Sequence, residues 1–188
     1  MFHQELTSHL TCFEALSSLE KEITAIGTRL VNHVTDGHKI LICGNGGSAA
    51  DAQHFATEVV CRLEKNRSAL AALALTTDTS ILTAVANDFG FDAVFTRQVE
   101  ALAQPGDTLI ALSTSGQSGN IIAALDTARE QGLVTVGLTG HTGGQLKDTA
   151  DHTIIVPAAN TQRIQEAHIF ILHCWAKQIE QAIVISDG

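Results

Sequence analysis

At 188 residues, with 45% hydrophobic and 16% charged residues, the chain is long and apolar enough for one globular domain, and disorder is excluded. Its 11 Lys and Arg against 20 Asp and Glu give a net charge of −9 without any basic cluster, which excludes a nucleic-acid binder that works through phosphate contacts. Cys12, Cys43, Cys61 and Cys174 are scattered with no C-x-x-C pair. With no leader-like segment and no apolar run long enough to span a bilayer, they predict reduced thiols in a cytoplasmic protein.

Apolar residues recur at Leu6, Leu10, Phe13, Leu16, Leu19, Ile23, Ile26, Leu30 and Val34. Steps of three and four predict one long amphipathic helix or two in succession, stopped at Asp36-Gly37. Strand-like runs follow at Lys39–Cys43, Ala71–Leu75, Thr108–Ser113, Leu133–Leu138 and His152–Val156. Helices fit between them near 48–64, 79–86, 93–103 and 118–131, with a short helical turn near 144–149. Pro157 closes the last strand, and a final helix runs over about 161–183. Continuous apolar strands alternating with helices predict a five-stranded parallel sheet covered on both faces. The expected fold is one doubly wound α/β domain over 1–188: a helical segment at 1–36, an α/β core at 37–157 and a C-terminal helix at 158–188.

Ligands of such sheets bind beyond the carboxyl ends of the strands. Three loops fall there: Gly44-Asn45-Gly46-Gly47-Ser48, Ser113-Thr114-Ser115-Gly116-Gln117-Ser118 and Thr139-Gly140-His141-Thr142-Gly143-Gly144. The first fits G-x-G-x-x-A, but the acidic residue a dinucleotide site needs about 20 residues on is missing; Asp78 comes more than 30 residues past Gly44. Ser48 and Asp51 are expected to form a capping box at the helix start. The second loop offers hydroxyls and amides to a phosphate at a helix N-terminus without a nearby cation. His54 and Glu58, four apart on one helix face, suit Zn²⁺ or acid–base work. Arg62, a further turn on, could meet a phosphate or pair with Glu58. In the last helix, spacing pairs Gln165 with His168, whereas Gln165 and His173 stand about 12 Å apart along an ideal helix.

Taken together, Cys43–Ser48, Asn87-Asp88-Phe89-Gly90-Phe91, Ser113–Gly116 and Arg163-Ile164-Gln165-Glu166 resemble the phosphoheptose isomerases, within the sugar isomerase (SIS) domain superfamily. The resemblance spans essentially the whole chain. It implies one Zn²⁺ per subunit on His54, Glu58, Gln165 and His173, and so selects His173 over His168. It implies substrate contacts from Asn45, Gly46, Gly47, Asn87, Asp88, Ser113, Thr114, Ser115, Ser118 and Gln165, with Ser48 and Arg62 close by. Gln162 stands where some relatives carry an aspartate. The implied activity converts D-sedoheptulose 7-phosphate to D-glycero-D-manno-heptose 7-phosphate, the first step toward ADP- or GDP-heptose. Glu58 and His173 would be catalytic, in a homotetramer with interface active sites. Two other classes are compatible with the fold: a non-catalytic partner of the bacterial replication initiator, and a sugar-phosphate sensor. The first would bind protein without needing Glu58 or His173; the second would bind its ligand without converting it.

Overall fold

The computed structural model describes residues 1–186. The N-terminal periodicity resolves into two helices, α1 (Phe2–Leu16) and α2 (Glu20–Thr35), joined by a 3-10 turn at Ser17–Leu19. The alternation that follows is β1 (Ile40–Gly44), α3 (Gly47–Val60), β2 (Ala72–Ala74), α4 (Thr79–Phe89), α5 (Thr96–Leu102), β3 (Thr108–Leu112), α6 (Gly119–Glu130), β4 (Val134–Thr139), α7 (Leu146–Thr149), β5 (His152–Ile155) and α8 (Thr161–Ser186). The five strands are parallel in the order β2-β1-β3-β4-β5. The order reverses between β1 and β3, so the switch point lies where Gly44 pairs with Leu112.

Alternate side chains of each strand feed opposite layers, as the period of two requires. Ile40, Ile42, Ile110 and Leu112 pack under α2, α3 and α8 with Phe55 and Trp175. Leu41, Cys43, Leu109 and Ala111 pack under α5 and α6 with Val94, Phe95, Ile121 and Leu125. Trp175 is fully buried, and its indole N–H donates to the Ile23 carbonyl at 2.8 Å, tying α8 to α2. All four cysteines are free thiols, with Cys61 exposed. No helix among the described residues is long and apolar enough to cross a membrane.

Two elements depart from the sequence expectation. Helix α3 ends at Val60, four residues early, because Cys61 leaves helical geometry at ψ −84°. The Arg67 guanidinium then takes over the freed carbonyls of Glu58 and Val59, at 2.6 and 2.7 Å. Helix α4 is capped by Asp78, whose carboxylate accepts from the Ile81 N–H at 3.0 Å, yet none of its residues is buried.

Candidate active site

Beyond Gly44 the chain turns through Gly46, at φ 58° and ψ −121°, a conformation open to glycine and strained for residues with a Cβ. Helix α3 starts on the next residue with Gly46 as its N-cap and no side-chain cap, so the expected Ser48–Asp51 capping box does not form. Gly46 begins the helix too early for it: Ser48 is already inside the first turn and buried. The glycine loop is held instead by its asparagine. Asn45 and Asn120 exchange two amide hydrogen bonds, both 2.9 Å, and Asn120 is 2% exposed.

The serine loop follows β3 on the neighbouring strand. Ser113 is buried; its hydroxyl lies 3.1 Å from that of Ser118 and accepts the Gly116 N–H at 3.2 Å. Ser115 accepts the Gln117 N–H at 3.2 Å, and Ser118 is the N-cap of α6 with its own hydroxyl unused in capping. The Thr139–Gly144 loop buttresses this turn from behind. Gly140 N–H donates to the Thr114 carbonyl at 3.2 Å and Leu146 N–H to the Gly116 carbonyl at 3.0 Å. Gly116 itself, at φ 66°, sits so close that a Cβ would run into the Gly143 carbonyl.

Between α3 and α8 three ligand-type side chains converge. His54 Nε2 and His173 Nε2 are 3.0 Å apart, and Glu58 Oε1 is 3.0 Å from the first and 3.2 Å from the second. Their donor atoms all fall within 4.8 Å of one another. Such spacings approach the edge of a tetrahedron with bonds of 2.0–2.1 Å, about 3.3 Å. Glu58 is buried and its Oε2 has no partner, so half of a carboxylate is withheld from water without compensation. Two imidazoles, a carboxylate and an orphaned oxygen fit a divalent metal such as Zn²⁺.

Gln165 lies nearby but in a different way. Its amide packs flat on Gly47, where any Cβ would collide with it, and it lies beside Asp51 in the cleft shared with Gln162, Glu166 and Ile169. Asp51, His54 and Glu58 follow one face of α3. Burial pushes the Asp51 carboxyl above its ordinary range, with the Gln165 amide and the imidazoles of His54 and His173 pulling the other way. One of its oxygens is covered and unpartnered.

His168, the ligand favoured by spacing, is fully buried elsewhere. Its Nε2 is 3.2 Å from the Thr139 carbonyl, and desolvation pushes its pKa down to about 4. Arg62 lies past the end of α3 and bonds Asn66, not Glu58, because the helix that would have aligned them has stopped. Asn87 and Asp88 stand exposed at the end of α4, bonded to one another at 2.7 Å.

The SIS domain model matches residues 2–140. A phosphoheptose isomerase of Geobacter metallireducens is 52% identical over 180 residues, covering 95% of this chain and 95% of its own length. The chain belongs to the phosphoheptose isomerase family. The phosphoheptose isomerase structure from Neisseria gonorrhoeae superposes with a TM-score of 0.90 at 39% identity, covering 96% of this chain and 97% of its own. That from Francisella tularensis gives 0.92 at 35% identity, covering 96% of each chain.

For a phosphoheptose isomerase relative, the sequence reading passed over three residues that shape this site: Asp51, Arg67 and Asn120. Arg67 and Asn120 carry no periodic or motif signal, since one acts on backbone carbonyls and the other on a side chain 75 positions away. Asp51 did carry one: it stands on the face of His54 and Glu58, and was assigned to a cap instead.

Proposed function

We propose that this protein isomerises D-sedoheptulose 7-phosphate to D-glycero-D-manno-heptose 7-phosphate through an enediol, at the start of ADP- or GDP-heptose synthesis. The observation that carries the reading is Glu58: a buried carboxylate between α3 and α8 with one oxygen against two imidazoles and the other unpartnered. The family relationship to phosphoheptose isomerases supplies the substrate class.

Glu58 takes the proton from C1 of the ketose and returns it to C2, with Oε2 as the basic oxygen. His173, when its Nε2 is not committed to a metal, serves the oxygens, giving a proton to O2 as the enediol forms and receiving one from O1 as the aldehyde forms, so charge and protons balance. His54, Glu58, Gln165 and His173 would hold one Zn²⁺ per subunit. When bound, the ion supplies Lewis-acid polarisation of the carbonyl. Ser113, Ser115 and Ser118, with the amides of their turn and Thr114, receive the phosphate and anchor the chain remote from the reacting carbons. Asn45, Gly46, Gly47, Asn87, Asp88 and Gln165 would line the path between, with Ser48 and Arg62 alongside. Exposed Phe2, Leu6, Leu10, Phe89, Phe91 and Phe170 support assembly into a homotetramer that completes the sites at its interfaces. The chain is read as one cytoplasmic SIS domain.

Proton NMR of the zinc-loaded protein with sedoheptulose 7-phosphate in D₂O tests this. A new aldose anomeric signal that vanishes on chelation and returns with Zn²⁺ is expected. Folded, metal-loaded protein that converts nothing would overturn it.

A further inference from the structure

Reciprocal amide pairing between two asparagine side chains is uncommon chemistry to bury, and here it bridges the two loops at the switch point. Asn45 follows β1 in the glycine loop; Asn120 is the second residue of α6, just past the serine loop. Each side chain gives one N–H and accepts one, at 2.9 Å in both directions. The inner member is 2% exposed, and the outer is half-buried with its second N–H and second oxygen lone pair unspent. The parallel register of β1 with β3 already places the two loops side by side, so the pair adds nothing to strand pairing. What it fixes is the start of α3, which carries His54 and Glu58, against the start of α6, which follows the serine turn. The serine turn is already held by its neighbours, whereas the first turn, with Gly44, Gly46 and Gly47 and with Gly46 at positive φ, has backbone freedom that the pair removes.

We infer that Asn120 is a positioning residue: by locking its amide to that of Asn45 it sets the separation between the phosphate-type turn and the His54–Glu58–His173 cluster, and turns the outer edge of Asn45 toward the ligand. This rests on reading the two loops as the two ends of one substrate site. It touches no reacting atom, and acts through Asn45.

The test uses the fact that a carboxylate can accept from Asn45 but cannot donate back, whereas a protonated carboxyl group can do both. Asn120→Asp should therefore break the lock at alkaline pH and remake it in acid. Asp92, whose carboxyl lies against Gly119 at the same helix start, adds a like charge that favours the protonated form. Taken as a ratio to wild type at each pH, kcat for the variant should be lower by about tenfold to a hundredfold near pH 8 and recover several-fold near pH 5.5. Zinc affinity in chelator competition should stay at the wild-type value. The melting temperature relative to wild type should rise over the same acid range. Asn45→Asp, which places the charge on the half-buried side, should show the same acid recovery if Asn120→Asp does not fold. A flat kcat ratio across pH in folded protein, or stability that recovers without activity, would overturn the positioning role. Should wild type fail to isomerise the sugar phosphate, the functional reading falls, while the pH dependence of the melting temperature still decides whether the lock exists.

Discussion

At the amino-terminal edge of the sheet Asp107 is buried, and its oxygens accept the Lys39 N–H at 2.9 Å, the Gln104 N–H at 2.7 Å and the Lys39 ammonium. Between α3 and α8 Glu58 is buried too, faces two imidazoles through one oxygen, and leaves the other without a partner. Asp51, two turns nearer the start of α3, and Thr139, at the end of β4, also hold covered oxygens with nothing to bond. The same chemical group is thus saturated with donors in the turn before β3 and starved of them between α3 and α8. Saturation stabilises a turn; starvation raises the free energy of the resting protein and leaves lone pairs for a ligand or a proton. At the cluster between α3 and α8 the folded chain does not complete its own hydrogen bonds.

Changing Glu58 to Gln tests that contrast most sharply. Loss of a general base costs roughly a hundred- to ten-thousandfold in rate, so turnover measured by NMR should fall by about a thousandfold. The melting temperature should hold or rise, since a buried orphan charge becomes a neutral amide. Activity near wild type would remove Glu58 from the chemistry.

Two histidines five positions apart on α8 sharpen it further. They point about 140° apart on an ideal helix. His173→Asn should lower zinc affinity in chelator competition by at least about a hundredfold and leave folding intact. Unchanged zinc binding would dissolve the proposed cluster. His168→Leu should do the reverse, leaving zinc binding alone and costing stability, because the Thr139 carbonyl loses its donor. The pH dependence is the more telling sign. The unfolded chain protonates this imidazole near pH 6.5, the folded chain only near pH 4, so its neutral form contributes stability above pH 6.5 that is lost as pH falls between those values. That loss amounts to about 3 kcal/mol. Melting curves of His168→Leu should be flatter across this window than those of wild type; an equal slope would show that some other group titrates there.

Much of this was legible before the structure. Each strand is a short apolar run, four of the five with Gly, Pro or Asp at a boundary, and the observed strands begin and end within a residue or two of those runs. Helical periodicity brought His54 to Glu58 because both lie on one element. On α8 it favoured His168 over His173, and the structure reverses that, because the decision belongs to what α3 presents across the gap. Nor could it end α3 at Val60, a break carried by Arg67 from the next loop, or find Asn120, whose partner is set by strand order and not by sequence distance. Local rules read elements; the site is assembled from pairs those rules never compare.

The mildest of these tests belongs to the saturated edge. Burial acts to raise the Asp107 pKa, but the hydrogen bonds from the Lys39 ammonium, the Lys39 N–H and the Gln104 N–H outweigh it, and the group ends below its ordinary range. Its contribution is therefore present above the unfolded value near pH 4 and is lost as pH falls through the folded one. Asp107→Asn keeps one accepting oxygen and forfeits the charge, so the cost should be about 1–2 kcal/mol near neutral pH, read by chemical denaturation, and should shrink in acid. Turnover and zinc affinity should not change, because nothing at this edge reaches the switch point except through the strands themselves. A loss of activity without a loss of stability would mean that this turn is coupled to the cluster, and that a saturated carboxylate also serves the site.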